Sequence, residues 1–207
     1  MSIVIFTPKL IMNQNFHKLT KKQQERIVDY AEVVYTDLRS QIELWNRKRN
    51  NRNTVRGITH GNYDRIHTMS TPSGLVSKSA IETKLKNPEF VFTKDHAYRP
   101  QFVMQMFMDN TDTFLSDFNV FLKYIILAST TILITSKEND KLKSFTKNRN
   151  GEIIIKVPTD KIYKEAGIEL LEVQQGRGWW KRDLKPADNY LPTPDLYLEY
   201  EKKFLVN

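Results

Sequence analysis

The chain has 207 residues, 40% hydrophobic and 27% charged, with 7 glycines and 8 prolines; this supports a sizeable core and excludes collagen-like or low-complexity chains. No cysteine is present, so disulfides, thiolate nucleophiles and cysteine-bound zinc are excluded. The net charge of +8 and pI near 9.5 make a polyanion a natural partner. Most of the surplus is N-terminal, because residues 1–60 hold 11 basic and 5 acidic side chains.

Near the start, Ile3-Val4-Ile5-Phe6 is apolar but is broken by Thr7-Pro8-Lys9 and has no basic segment before it, so it is not expected to be a signal peptide. Thr20 and Gln23 have the spacing of a capping box. After them Ile27, Tyr30, Ala31, Val34, Leu38, Ile42 and Trp45 recur at three- and four-residue steps, which predicts one amphipathic helix from about Thr20 to Arg49. Its apolar face suits core packing or a homodimer. Arg47, Lys48, Arg49, Arg52 and Arg56 follow with no acid among them. Such a run suits both a helix C-terminus and a phosphate backbone.

Gly57 to Gly74 reads as a polar, turn-rich stretch, and His60, Asp64 and His67 within it match no zinc spacing. Ser79 with Glu82 suggests a second capping box, opening a short helix that stops at Asn87-Pro88. Phe90–Thr93 is predicted as a strand running into Lys94-Asp95-His96. Pro100 should open a helix through Met108, and a second helix is expected over about Thr113–Ser129. The β-branched run Thr130–Thr135 predicts a buried strand, and Ser136 should cap a helix to about Phe145. No apolar stretch approaches the roughly 20 residues of a membrane span, so a cytoplasmic protein with no membrane partner is expected.

The character changes near residue 150. Ile153–Val157 is predicted as a strand, and Asp195 should cap a final helix. Between them lies Gly176-Arg177-Gly178-Trp179-Trp180-Lys181-Arg182, where Arg177, Trp179, Trp180 and Lys181 could stack on bases and meet phosphates. The alternative is structural, with one tryptophan in the core and the other at a turn.

Three parts follow: a long amphipathic helix with a basic end (1–60), a central unit (61–150) and a small C-terminal region of strand and helix (151–207). The chemistry converges on the central unit. A His at a strand end can deprotonate water, and oxygen ligands at the start of Ser136-Lys137-Glu138-Asn139-Asp140 suit a hard cation such as Mg²⁺.

Phe92-Thr93-Lys94-Asp95-His96, with Thr131–Leu142 downstream, resembles the two halves of an HNH (His-Me finger) nuclease site over residues 90–145. The predicted elements make an α+β, helix-rich fold, in which the resemblance implies a central ββα-metal-like unit carrying inserted helices. It implies His96 as the base, and Asp95 with Asn139 or Asp140 as Mg²⁺ ligands. The family's middle Asn has no counterpart near Thr131, and Glu138-Asn139-Asp140 stands where its closing His would be. The implied activity is metal-dependent DNA endonuclease, with a composition that suits a phage or mobile element. The alternatives are a non-catalytic nucleic-acid-binding protein and a helical interaction or dimerisation protein.

Overall fold

The computed structural model describes residues 14–149, 152–173, 176–188 and 191–206; the Ile3–Phe6 run lies outside them. A single turn, α1 (Gln14–His17), leads into α2 (Lys21–Ser40). The expected capping box is present: Thr20 Oγ1 accepts from the Gln23 N–H at 3.3 Å, and Gln23 Oε1 accepts from the Thr20 N–H at 3.0 Å. The helix does not continue unbroken to Arg49. The backbone leaves helical geometry at Gln41, and α3 (Ile42–Lys48) resumes beyond it. There Trp45 is buried and its indole N–H donates to Asp109 Oδ1 at 3.2 Å, a long-range contact that fixes the direction of α3.

The stretch Gly57–Gly74, expected to be turn-rich, lies instead in α4 (Arg52–Gly61), α5 (Tyr63–Met69) and the strand β1 (Thr71–Ser77). Asn51 caps α4, its Oδ1 accepting from the N–H groups of Asn53 and Thr54 at 3.0 and 3.1 Å. Ile58, Ile66 and Met69 are buried. Gly57 and Gly61 each weaken a helix by about 1 kcal/mol, and burial of that face outweighs them.

The next helix, α6 (Lys78–Lys86), is capped by Ser77 rather than Ser79, with Ser77 Oγ accepting from the Ala80 N–H at 3.2 Å. It ends before Asn87-Pro88 as expected. The strand anticipated at Phe90 begins only at Thr93, as β2 (Thr93–His96). Phe90 and Phe92 pack against a small apolar cluster around Val76, Ala80 and Ile81 instead.

Pro100 opens α7 (Pro100–Asp109). The expected helix over 113–129 is split into α8 (Thr111–Phe114) and α9 (Phe118–Ala128), because Asp117 restarts the chain by accepting from the Asn119 N–H at 2.8 Å. The strand β3 (Thr130–Ile134) follows as expected, then α10 (Ser136–Ser144). The cap of α10 is Thr135, not Ser136, in a full capping box with Glu138. Beyond it come β4 (Thr146–Arg149), β5 (Glu152–Ile155), α11 (Ile162–Glu165), β6 (Leu170–Glu172) and α12 (Asp195–Glu201). Pro194, not Asp195, occupies the cap position of α12.

The fold is α+β and helix-rich. Its main sheet has the order β2-β3-β1-β6, while β4 and β5 form a separate antiparallel pair. Within the main sheet β3 runs parallel to β1 and antiparallel to β2. The principal core extends from Ile27 to Tyr200 as one apolar cluster and takes side chains from residues 1–60, 61–150 and 151–207 alike. Ile27, Ala31, Val34 and Leu38 of α2 are buried in it, and α2 packs beside α5 and α9. No helix among the described residues is long and apolar enough to cross a membrane.

Candidate functional site

The sheet register decides what surrounds His96. Antiparallel pairing sets Asp95 opposite Ile132 and His96 opposite Thr131, so the last turn of α9 and the start of β3 are held beside the histidine. Four residues later β3 enters α10, which packs against β2. The Glu138 carboxylate secures that turn. It accepts from the Thr135 N–H at 2.8 Å and from Ser77 Oγ at 2.7 Å, tying the start of α10 to the end of β1. Asn139 is thereby carried to the same cleft as Asp95 and His96, a hollow of about 480 Å³ that His67, Lys94, Arg99 and Lys143 also line.

Asp95 and His96 sit in opposite electrostatic situations. Burial pushes the Asp95 carboxyl up to about 6, although the Tyr163 hydroxyl, Arg99 and Lys143 all favour its ionised form. The Tyr163 hydroxyl donates directly to Asp95 Oδ2, and burial holds that phenol well above its ordinary value. Burial lowers His96 to about 4, with His67 and Lys94 acting in the same direction. The His67 and His96 rings are 5.3 Å apart at 42°. At neutral pH the site therefore presents an ionised carboxylate and a neutral imidazole.

Arg99, three residues past His96, connects the cleft to the far end of the chain. Its Nη1 donates to Glu201 Oε1 at 2.9 Å and to Thr159 Oγ1 at 2.8 Å. Its Nη2 is buried and has no hydrogen-bond partner among the described residues.

The other residues singled out from the sequence divide sharply by position. Asp140 does not line the cleft; it is exposed and pairs with Lys143 at 3.4 Å. His60 and His67 do not come together around Asp64, whose side chain lies outside the described set. His60 meets Gln101 at 3.1 Å, whereas His67 meets His96. Arg47, Lys48 and Arg49 are exposed at the end of α3, and Arg52 and Arg56 are exposed on α4. Lys94, Arg99, Lys143 and Tyr163 were not anticipated as site residues. Only Lys94, adjacent to Asp95-His96, carried a local signal; the other three reach the cleft through tertiary packing.

Arg177, Trp179, Trp180 and Lys181 are outside this cleft. Trp179 stacks on Phe92 at 5.6 Å, and Trp180 meets Trp179 edge-on at 5.8 Å. The Lys84 ammonium lies 5.6 Å over the Trp180 ring while donating to the carbonyls of Pro88 and Phe90 at 2.6 and 2.7 Å. Both tryptophans thus close the small cluster under α6. Trp179→Ala is expected to cost about 2 kcal/mol of stability through the lost stacking and apolar contact. An unchanged urea midpoint, combined with weakened single-strand binding, would instead make this tryptophan a base-stacking surface.

Among the described residues, no group of three or more His, Asp and Glu side chains is arranged to hold a metal ion. Among the described residues that line the cleft, side-chain oxygen donors come from the Asp95 carboxylate, the Asn139 and Gln101 amides and the Thr146 hydroxyl. Mg²⁺ is commonly held by one or two carboxylates together with substrate phosphate and water, and among the described residues Asp95 is the carboxylate that lines the cleft. In comparisons with known proteins, the chain matches no family model, no curated protein and no solved structure.

Proposed function

We propose that this protein is a metal-dependent DNA endonuclease in which the His96 cleft hydrolyses a phosphodiester bond. The observation that carries the reading is the convergence of His96, Asp95 and Asn139 on one cleft, produced by the antiparallel β2–β3 pair and the helix that follows it. An antiparallel strand pair followed by a helix supports the HNH-like reading, with α7 to α9 lying between the two strands in the chain. Asn139 is the helix ligand of this proposal, since Asp140 faces solvent. Mg²⁺ held by Asp95 and Asn139 would neutralise charge on the scissile phosphate.

The protein's own groups account for the remaining requirements. Neutral His96 takes a proton from water as the oxygen attacks phosphorus, and the bond to the leaving oxygen breaks. His67 and Lys94, both lowering His96, keep that imidazole in its proton-accepting form. Lys94, Arg99 and Lys143 surround the cleft with positive charge for the phosphate. Tyr163 holds the Asp95 carboxylate from behind, away from competing conformations.

A plasmid-nicking assay with Mg²⁺ tests the proposal. His96→Ala is expected to lose at least about 100-fold in cleavage rate, in the range that a positioned acid or base contributes, while DNA affinity stays within about twofold because the base acts in the transition state. Cleavage by His96→Ala at the wild-type rate would refute the assignment. DNA binding with no cleavage of plasmid or of single-stranded DNA by the wild type in Mg²⁺ or Mn²⁺ would make the cleft part of a non-catalytic nucleic-acid-binding surface.

A further inference from the structure

Beside the His96 cleft lies a second hollow of about 310 Å³, lined by Arg52, Arg56 and His60 of α4 on one side and by Gln101 and Gln105 of α7 on the other. Gln101 lines both hollows. Its side-chain amide meets His60 Nδ1 at 3.1 Å, so the His60–Gln101 contact is a saddle between them. The two hollows make one trough. Among the described residues, Asp95 is the only acidic side chain that lines it, and none lines the 310 Å³ arm.

Arg52, Arg56 and His60 are spaced four residues apart on one helix, which advances them along a single face by about 6 Å per step. That is close to the interval between consecutive phosphates of one polynucleotide strand. Arg52 and Arg56 form one row of positive charge on α4, not the two that flank a duplex groove. Helix α4 packs against α7 and both line the hollow, so α4 is part of a wall and not a projecting helix that could enter a major groove. Among the described residues, no Phe, Tyr or Trp lines either hollow, which favours contact with the backbone over stacking on bases.

We propose that this trough holds one unpaired polynucleotide strand by its phosphates, with Arg52 and Arg56 gripping the backbone that flanks the phosphate at His96. The proposal rests on the nuclease reading of the His96 cleft and specifies its substrate as single-stranded. It also divides the basic run: Arg52 and Arg56 engage the strand, while Arg47, Lys48 and Arg49, which line neither hollow, do not.

Binding of fluorescent oligothymidylate to the full chain, measured in EDTA so that no cleavage intervenes, tests it through salt dependence. Each phosphate contact on a single strand contributes about 0.7 to the slope of log affinity against log salt. Arg52→Gln/Arg56→Gln should therefore lower the slope by about 1.4, and Arg47→Gln/Lys48→Gln/Arg49→Gln should leave it unchanged. A blunt duplex should bind more weakly than the single strand. The proposal is overturned by the reverse pattern in the two variants, by no binding of the single strand to wild type, or by tighter duplex binding that Arg52→Gln/Arg56→Gln leaves unaltered. Absence of oligothymidylate cleavage in Mg²⁺ with this binding pattern intact would remove the catalytic reading alone, while cleavage with a wrong binding pattern would remove only the trough.

Discussion

Arg99→Met is expected to destabilise the protein by about 3–5 kcal/mol, the cost of leaving one member of a buried ion pair without its partner. Glu201 is 1% exposed and the Arg99 side chain 18% exposed. In addition to Arg99, the Glu201 carboxylate accepts from the Thr159 N–H at 2.9 Å and from Thr159 Oγ1 at 2.5 Å. Those neutral donors do not replace a guanidinium, so the variant must carry an incompletely compensated charge in the core or unfold α12 to release it. Arg99→Met/Glu201→Gln should recover most of the loss, since removing both charges also removes their desolvation cost. Urea unfolding of the two single variants and the double variant gives the coupling energy. A loss below about 1 kcal/mol in Arg99→Met would show that this pair is hydrated like a surface salt bridge. Because Arg99 also borders the cleft, the same variant should weaken phosphate binding there, linking the last helix of the chain to the site.

The second large effect is a pair of opposed pH dependences. Asp95 titrates near 6 in the folded protein and near 3.9 when unfolded, so between about pH 4 and 6 the folded state binds the extra proton. Its contribution to stability therefore decreases as pH rises through that window. His96 titrates near 4 when folded and near 6.5 when unfolded. Between those values the unfolded state binds the proton, and the His96 contribution increases with pH. Each shift spans roughly two units at about 1.4 kcal/mol per unit, so each is worth about 3 kcal/mol and the two nearly cancel in the wild type. Replacing either one exposes the other. Relative to wild type, Asp95→Asn should gain about 3 kcal/mol in stability between pH 4 and 6, and His96→Asn should lose about 3 kcal/mol between pH 4 and 6.5. Denaturant titrations at several pH values read both. Curves that stay parallel to wild type would mean that neither group is desolvated as the fold requires.

The local rules and the tertiary fold made different contributions to this picture. Thr20 with Gln23, Pro100 and the Thr130–Thr135 run each marked an element edge through chemistry that acts within three or four residues, and those elements are present. Capping misled by one or two positions at Ser79, Ser136 and Asp195, where a neighbour holds the cap position instead. Several residues near a helix start can be written into one capping pattern, and only packing selects among them. Gly57 and Gly61 suggested turns because propensity counts the cost of glycine without the burial of Ile58 and Ile66 that outweighs it.

The sequence by itself determined an α+β, helix-rich, basic protein free of cysteine, with Asp95-His96 on a strand end and a capped helix after a later β-branched strand. Each of these depends on residue type and short spacing. Only the tertiary structure decided that Asn139 joins His96 while Asp140 faces solvent, that His67 rather than His60 sits beside His96, and that Arg99 is anchored by Glu201. Strand register and helix rotation set these outcomes, since a shift of one residue turns a side chain by about 100° on α10 and sends it to the opposite face on β2. That choice is made by the burial of Ile132, Ile134 and Leu142, apolar contacts between segments far apart in the chain, which carry no mark of one another in the local sequence.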